Sequence, residues 1–292
     1  MNVSGRSAAL TEKRRTLANA RMRSRGRSEL GTAVSCPPPY HGPALTRVTS
    51  DVGDLWIPAS DGVMLPYLES RGTWEREVGD QLLRLGHDGM TFLDVGASFG
   101  YFSRLVAMNF PSANIHAFEP HPEVVTVLAL NVWQVQSNIQ VWPLAVGEAR
   151  DTVSISSASH NIGDTRVSTQ ATSNATMIAP MARLDDLVTE PVDLVKIDVQ
   201  GFEASVIRGM VRIAAQNPRL QIVLEYGPAA VREQGMSPLA TLDFYRSAGY
   251  RYRAVIDGVP RALSDQEILN YCDTAGPDGE ATLVLDRARD DH

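Results

Sequence analysis

The sequence predicts an α/β fold: a mostly parallel sheet with helices on both faces, behind an N-terminal extension. Three observations predict it. From residue 91 to 285, β-type runs alternate with helical runs, which is the pattern of a parallel sheet. A small-residue turn, LDVGASFG, joins the first such strand to the first helix. An acid, Glu119, ends the next strand, 19 residues after Gly100.

Residues 1–45 read as a basic tail and Pro-rich linker, and 46–292 as one domain. Residues 1–27 carry a net charge of +7 and the remainder −14. A solvated tail of Ser, Arg and Ala is the preferred reading, although an Arg- and Ser-rich start also resembles an organellar transit peptide. The four prolines of SCPPPYHGP exclude helix. Pro37-Pro38-Pro39-Tyr40 matches a WW-domain ligand, but a stiff linker suffices. The acidic body argues against a nucleic-acid surface. No apolar run approaches the ~18 residues of a membrane span, and the N-terminus lacks a secretory h-region. Cys36 and Cys272 have no metal-ligand spacing and make no disulfide scaffold, so a reducing, cytoplasmic compartment is expected.

In chain order, LWIPASDGVML (55–65) reads as a hairpin turning near Asp61-Gly62. GTWEREVGDQLLRLG is a helix with Trp74, Val78, Leu82, Leu83 and Leu85 near one face. TFLDVGA (91–97) is a strand, YFSRLVAMNF a helix stopped by Pro111, NIHAFEP a strand, PEVVTVLALNVW a helix and IQVWPLAVG (139–147) a strand. Residues 150–182, rich in Ser, Thr and Asn, read as hairpin strands plus a loop. LVKIDV (194–199) is a strand, GFEASVIRGMV a helix, LQIVLEY a strand. SPLATLDFYRSAG is a helix with Ser237 as N-cap and Gly249 past its end. YRYRAVID and ATLVLD are the last strands.

The candidate cofactor site is Asp94, Gly96, Ala97, Ser98, Gly100, Glu119, Ala145 and Asp198. Small residues let backbone approach a ligand, and helix N-terminal amides favour an anion. An acid at position 119 accepts the hydroxyls of a ribose. A dinucleotide fingerprint is G-x-G-x-x-G, whereas here the spacing is Gly96-x-x-x-Gly100. Asp94 just before the turn would repel pyrophosphate. It suits a cofactor bearing positive groups and no phosphate, which is S-adenosyl-L-methionine. The same points speak against a nicotinamide dehydrogenase. A DNA methyltransferase is excluded by the lack of an Asn/Asp-Pro-Pro-Tyr motif at the right strand.

FLDVGASFGYFS, AFEPHPE, LVKIDVQGFEASVIRGM and IVLEYGP together resemble the FkbM family of class I S-adenosylmethionine-dependent methyltransferases, from about Gly72 to about Leu285. The resemblance implies a Rossmann-like sheet of seven strands, the last antiparallel. It also implies methyl transfer, most often to a hydroxyl of a small natural product or sugar. The family more often has Glu where this chain has Gln200, and Asn where it has Ser98.

Lys196 is one of only two lysines among 27 basic residues, the other being Lys13. Arginine elsewhere is explained by codon bias; a lysine kept inside an apolar strand is not. Period-two alternation puts Lys196 and Asp198 on one side of the strand. A buried ammonium needs a partner: Asp198, Glu225 or Glu203. The candidate catalytic residues are Asp198, Lys196, Glu225 and His160, the last in a polar segment that would cover the pocket. Glu75 is a candidate pocket residue, and His121 is expected at the surface or behind Glu119. No adjacent acid set follows Asp198, so no metal is expected. The expected partner is a small hydroxylated acceptor, with an amine acceptor or a non-catalytic binding role as alternatives. No nucleic acid or membrane partner is expected. The oligomeric state stays open, a homodimer included.

Overall fold

The computed structural model describes residues 40–292, except 134, 136–137, 159–160, 169–176, 277–278 and 288–292. The chain divides into Met1–Pro37 and Pro38–His292. The tail expectations, with all of the linker but its last few residues, lie outside the described residues.

An N-terminal hairpin pairs β1 (Leu45–Ser50) with β2 (Gly53–Pro58), turning at Asp51-Val52. This corrects the hairpin expected at 61–62. Asp61 is instead a helix-starting residue: its Oδ1 accepts from the Val63 and Leu65 amides at 3.2 and 3.0 Å. It opens α1 (Met64–Arg71), so a turn-like Asp-Gly pair initiates a helix. The next helix, α2 (Arg76–Leu85), begins after Trp74, later than the expected 72.

The α/β alternation follows. β3 (Thr91–Val95), α3 (Tyr101–Asn109), β4 (Asn114–Phe118), α4 (Pro122–Trp133) and β5 (Asn138–Trp142) come first. The strand expected over 139–147 is two, because Pro143 cannot donate to a ladder: β5 stays in the main sheet and β6 (Ala145–Val146) joins another. That second sheet has the order β6-β9-β7-β8, from β7 (Asp151–Ala158), β8 (Asn161–Ser168) and β9 (Met177–Ala182). After α5 (Leu184–Leu187) come β10 (Leu194–Ile197), α6 (Glu203–Arg208) and α7 (Val211–Gln216). The helix expected over 201–211 thus ends at Gly209, where a Cβ would lie 2.0 Å from the Gly147 carbonyl oxygen.

β11 (Gln221–Tyr226), α8 (Pro228–Glu233), α9 (Pro238–Ser247), β12 (Tyr250–Ile256), β13 (Val259–Arg261), α10 (Asp265–Thr274) and β14 (Ala281–Arg287) complete the chain. Ser237 caps α9 by accepting from the Ala240 amide. The unanticipated α10 opens with a capping box of Ser264 and Glu267.

The main sheet runs β13-β12-β14-β11-β10-β3-β4-β5. Seven of these strands are the expected set, with β14 antiparallel to β11 and β12. Short β13 extends one edge as the hairpin partner of β12. Each central strand is buried on both faces. Leu93, Val95, Val195 and Ile197 enter one core with α6, α7, α9 and α10. Phe92, Leu194, Ile115 and Val223 enter the other, with β1, β2 and α1–α4. Each such aliphatic side chain contributes about 1.5–3 kcal/mol on burial. Lys196 shares the second face with Leu194 and Val223, so a charge stands in an otherwise apolar row.

Candidate active site

A cavity of about 570 Å³ opens at the carboxyl ends of β3, β4, β10 and β11. That size suits a small-molecule site (~300–1,000 Å³), and the place suits ligand binding in an open α/β sheet.

The β3–α3 turn forms one wall through Gly96, Ala97, Ser98 and Phe99. Gly96 has φ +77°, and a Cβ there would lie 1.9 Å from the Asp198 carbonyl oxygen. The close approach that demands glycine is therefore between β3 and β10. The Gly96 and Ala97 amides both donate to the Phe118 carbonyl at 3.0 Å, and the Ser98 amide donates to Glu119 Oε2 at 3.1 Å. These three amides are thus already used. A phosphate would find none of the three free.

Glu119 also lines the cavity; its Oε1 accepts from the His121 amide at 2.9 Å. Each oxygen keeps a lone pair for a hydroxyl donor. Burial pushes this carboxyl up to about 7, against the lowering effect of the two amide bonds. His121 is buried rather than at the surface, its Nδ1 accepting from the Glu123 amide at the start of α4.

Three residues of the expected cofactor set lie off the cavity wall. Asp94 is fully buried; Ser103 Oγ donates to its Oδ2 at 2.6 Å, and its Oδ1 has no partner. Burial raises its pKa, with Lys196 opposing. Gly100, at φ +88°, is where a Cβ would meet Leu128 at 2.7 Å, so it serves the packing of α3 on α4. Ala145 is buried in β6 among Val153, Ala179 and Met181. His160 lies outside the described residues.

The other wall is acidic. Lys196 Nζ donates to Asp198 Oδ2 at 2.9 Å and to the Gly96 carbonyl at 3.1 Å. It lies 5.1 Å from the centre of the Phe102 ring. Burial works against the ammonium, but Asp198, Asp94, Glu225 and Glu75 outweigh it and hold its pKa above the usual lysine value. Lys196 is thus a fixed cation and not a base. Glu203 does not pair with it: its Oε1 accepts from the Gly201 amide at 2.8 Å, and burial raises this carboxyl to about 7.

Glu225 at the tip of β11, Asp198, and Glu75 ahead of α2 bring carboxylate oxygens within 4.8 Å of one another. The Glu75 segment is pinned from two sides. The Asp51 amide donates to the Gly72 carbonyl at 2.8 Å. Tyr101 Oη donates to Asp51 Oδ1 at 2.7 Å and lies 3.1 Å from Thr73 Oγ1. Glu280, ahead of β14, and Arg166 and Val167 of β8 also line the cavity. Sequence reading missed these three. Glu280 stands in a loop with no motif, and the polar segment of β8, although expected to cover the pocket, gave no sign which of its residues would line it.

The strand order, the glycine turn and an acid at the tip of the second strand define a class I S-adenosylmethionine-dependent methyltransferase. A family model, the Methyltransferase FkbM domain, matches residues 94–252. The chain belongs to the FkbM methyltransferase family, and its cofactor is S-adenosylmethionine.

Among solved structures, the chain is similar to an FkbM methyltransferase from Methylobacillus flagellatus KT, at 15% identity and TM-score 0.45, over 69% of this chain and 44% of that one. It is similar to a TehB-like SAM-dependent methyltransferase from Corynebacterium glutamicum, at 11% identity and TM-score 0.44, over 76% and 94%. It is also similar to M. jannaschii TYW2 in complex with AdoMet, at 12% identity and TM-score 0.42, over 85% and 87%. The chain spans under half the length of the FkbM structure it matches. No curated protein matches it. No described helix is long and apolar enough to cross a membrane.

The residues present fit the cofactor. Glu119 offers acceptors for a ribose, and the amide-poor turn suits a ligand without phosphate. Bound S-adenosylmethionine supplies a methyl group activated by its sulfonium.

Proposed function

We propose that this chain is an O-methyltransferase acting on a small hydroxylated metabolite. The observation that carries the reading is the convergence of Asp198, Glu225 and Glu75 on the cavity that the Gly96–Ser98 turn also lines. Carboxylates there accept hydrogen bonds from hydroxyls and orient them, and such positioning supplies several kcal/mol toward an in-line displacement. The apolar surfaces of Val63, Trp74, Phe102 and Val167 complete a pocket for a small molecule. The excess of acid favours one second reading, N-methylation of an amine that binds as a cation.

The test has two arms. Calorimetric titration with S-adenosylhomocysteine should show saturable binding to the wild type, weakened at least tenfold in Glu119→Ala. Incubation with S-adenosylmethionine and a panel of polyols, glycosides and amines, read by mass fragmentation, should give O-methyl products. N-methyl products alone would move the reading to the amine. A folded wild type that binds no cofactor would sink both.

A further inference from the structure

We propose that Glu75 and Glu225 form a carboxyl pair that holds one proton between them, and that this pair is the site's proton acceptor. The inference rests on the methyltransferase reading and deepens it.

Glu75 reaches the cavity from the segment ahead of α2, and Glu225 from the tip of β11. One oxygen of each falls within the same group, all within 4.8 Å of one another. Glu75 Oε2 is shielded from water and has no hydrogen-bond partner. Two carboxylates this close disfavour double ionisation, so the pair keeps a proton and titrates as a unit.

The charges around the pair decide what it holds. Asp198 from β10 and Glu280 ahead of β14 repel a second negative charge, and Lys196 is the cation that faces both acids. Arg166 lies elsewhere on the wall, bonded to Glu233. The Lys196 ammonium is anchored on Asp198 and the Gly96 carbonyl. Of the three acids it bonds Asp198 alone, and its charge disfavours a divalent cation beside it. A shared proton relieves the repulsion between the two remaining carboxylates. Burial and the neighbouring acids accordingly raise both groups, Glu75 to about 8.

In its one-proton state the pair has one ionised carboxylate. As the acceptor oxygen forms its bond to the methyl carbon, the carbon–sulfur bond breaks and its electron pair stays on sulfur. The hydroxyl proton passes to that carboxylate. The products are the methyl ether, neutral S-adenosylhomocysteine and a doubly protonated pair, which then loses a proton to water. Lys196 stays charged throughout and serves as the positioning residue.

The test is a carbon-13 titration of glutamate-labelled protein with S-adenosylhomocysteine bound, in wild type, Glu75→Gln and Glu225→Gln. Beside the steps near 7 of Glu119 and Glu203, the wild type should show a further carboxyl step near pH 8, that of Glu75. Either substitution should abolish that step and let the remaining acid ionise at lower pH. All carboxyls ionised by mildly acidic pH in the wild type would overturn the pair. So would saturable Mn²⁺ binding, measured by calorimetry with Mn²⁺ alone and lost in Glu75→Gln, because the acids would then be metal ligands. With the acceptor from the panel, either variant should lower kcat by about 10²-fold or more and flatten its pH profile; unchanged kcat overturns the base role. The titration needs no acceptor, so it judges the pair even if no product forms. Loss of S-adenosylhomocysteine binding by the wild type would instead mark failure of the methyltransferase reading.

Discussion

The two walls of the cavity are built in opposite ways. The glycine-turn wall comes from adjacent pieces of chain, Gly96 to Phe99 and Glu119, locked by amide hydrogen bonds to the Phe118 carbonyl and the Glu119 carboxylate. The acidic wall gathers Glu75, Arg166, Asp198, Glu225 and Glu280 from five separate segments. A wall made of neighbouring strand tips is set by the fold itself. A wall drawn from distant segments depends on how those segments are packed together.

Lys196 joins the two walls, so its removal is the most damaging way to break the contrast. Lys196→Met leaves Asp198 without its partner. Breaking a buried pair costs about 3–5 kcal/mol. Asp198 keeps 21% side-chain exposure, so the lower end, about 3 kcal/mol, is expected, together with loss of S-adenosylhomocysteine binding. Lys196→Arg should not rescue it, since the planar fork does not fit two acceptors set for a compact ammonium. Denaturant unfolding and calorimetry check both. A stable, cofactor-binding Lys196→Met protein would show that the walls are independent.

A middle-sized effect sharpens the glycine-turn wall alone. Glu119 has a raised pKa in the free protein, to about 7. For such a group, stability is fully present below the unfolded carboxyl pKa and is lost as pH rises through the folded value. A ribose that donates hydrogen bonds favours the ionised form. Affinity for S-adenosylhomocysteine should therefore rise with pH up to about 7 and level off above. In Glu119→Gln the dependence should vanish. A pH-independent wild type would remove Glu119 from ribose binding.

The smallest effect concerns backbone. Ser98 and Gln200 sit at φ 47° and 50°. Left-handed backbone costs a non-glycine residue roughly 1–2 kcal/mol, and Asn tolerates it better. Ser98→Asn should raise stability by about 0.5–1 kcal/mol, read from the denaturation midpoint, with cofactor affinity nearly unchanged. A drop in stability would mean that the serine hydroxyl has a role.

The same contrast decides what the sequence could disclose. The β3 turn and Glu119 were legible because strand, turn and acid are local signals at fixed spacing. Lys196 and Asp198 were legible from strand alternation, together with the oddity of a lysine in this chain. Glu280 and Arg166 carry no local signal; only the closing of β14 and the second sheet brings them to the cavity. The hairpin at 61–62 failed because an Asp-Gly pair serves turns and helix starts alike, and the hydrogen bonds of Asp61 to Val63 and Leu65 chose the helix. Gly100 looked like a ligand-facing glycine, yet its neighbour is Leu128. Sequence spacing does not distinguish room for a ligand from room for a helix.

The acid-rich wall also bears on how a catalytic cycle ends. S-adenosylmethionine enters carrying a sulfonium charge and leaves, as S-adenosylhomocysteine, without it. Carboxylates around the cavity attract the first and are indifferent to the second. The spent cofactor is therefore expected to be held less tightly than the fresh one, and the ratio of the two dissociation constants, measured by calorimetry, gives by how much.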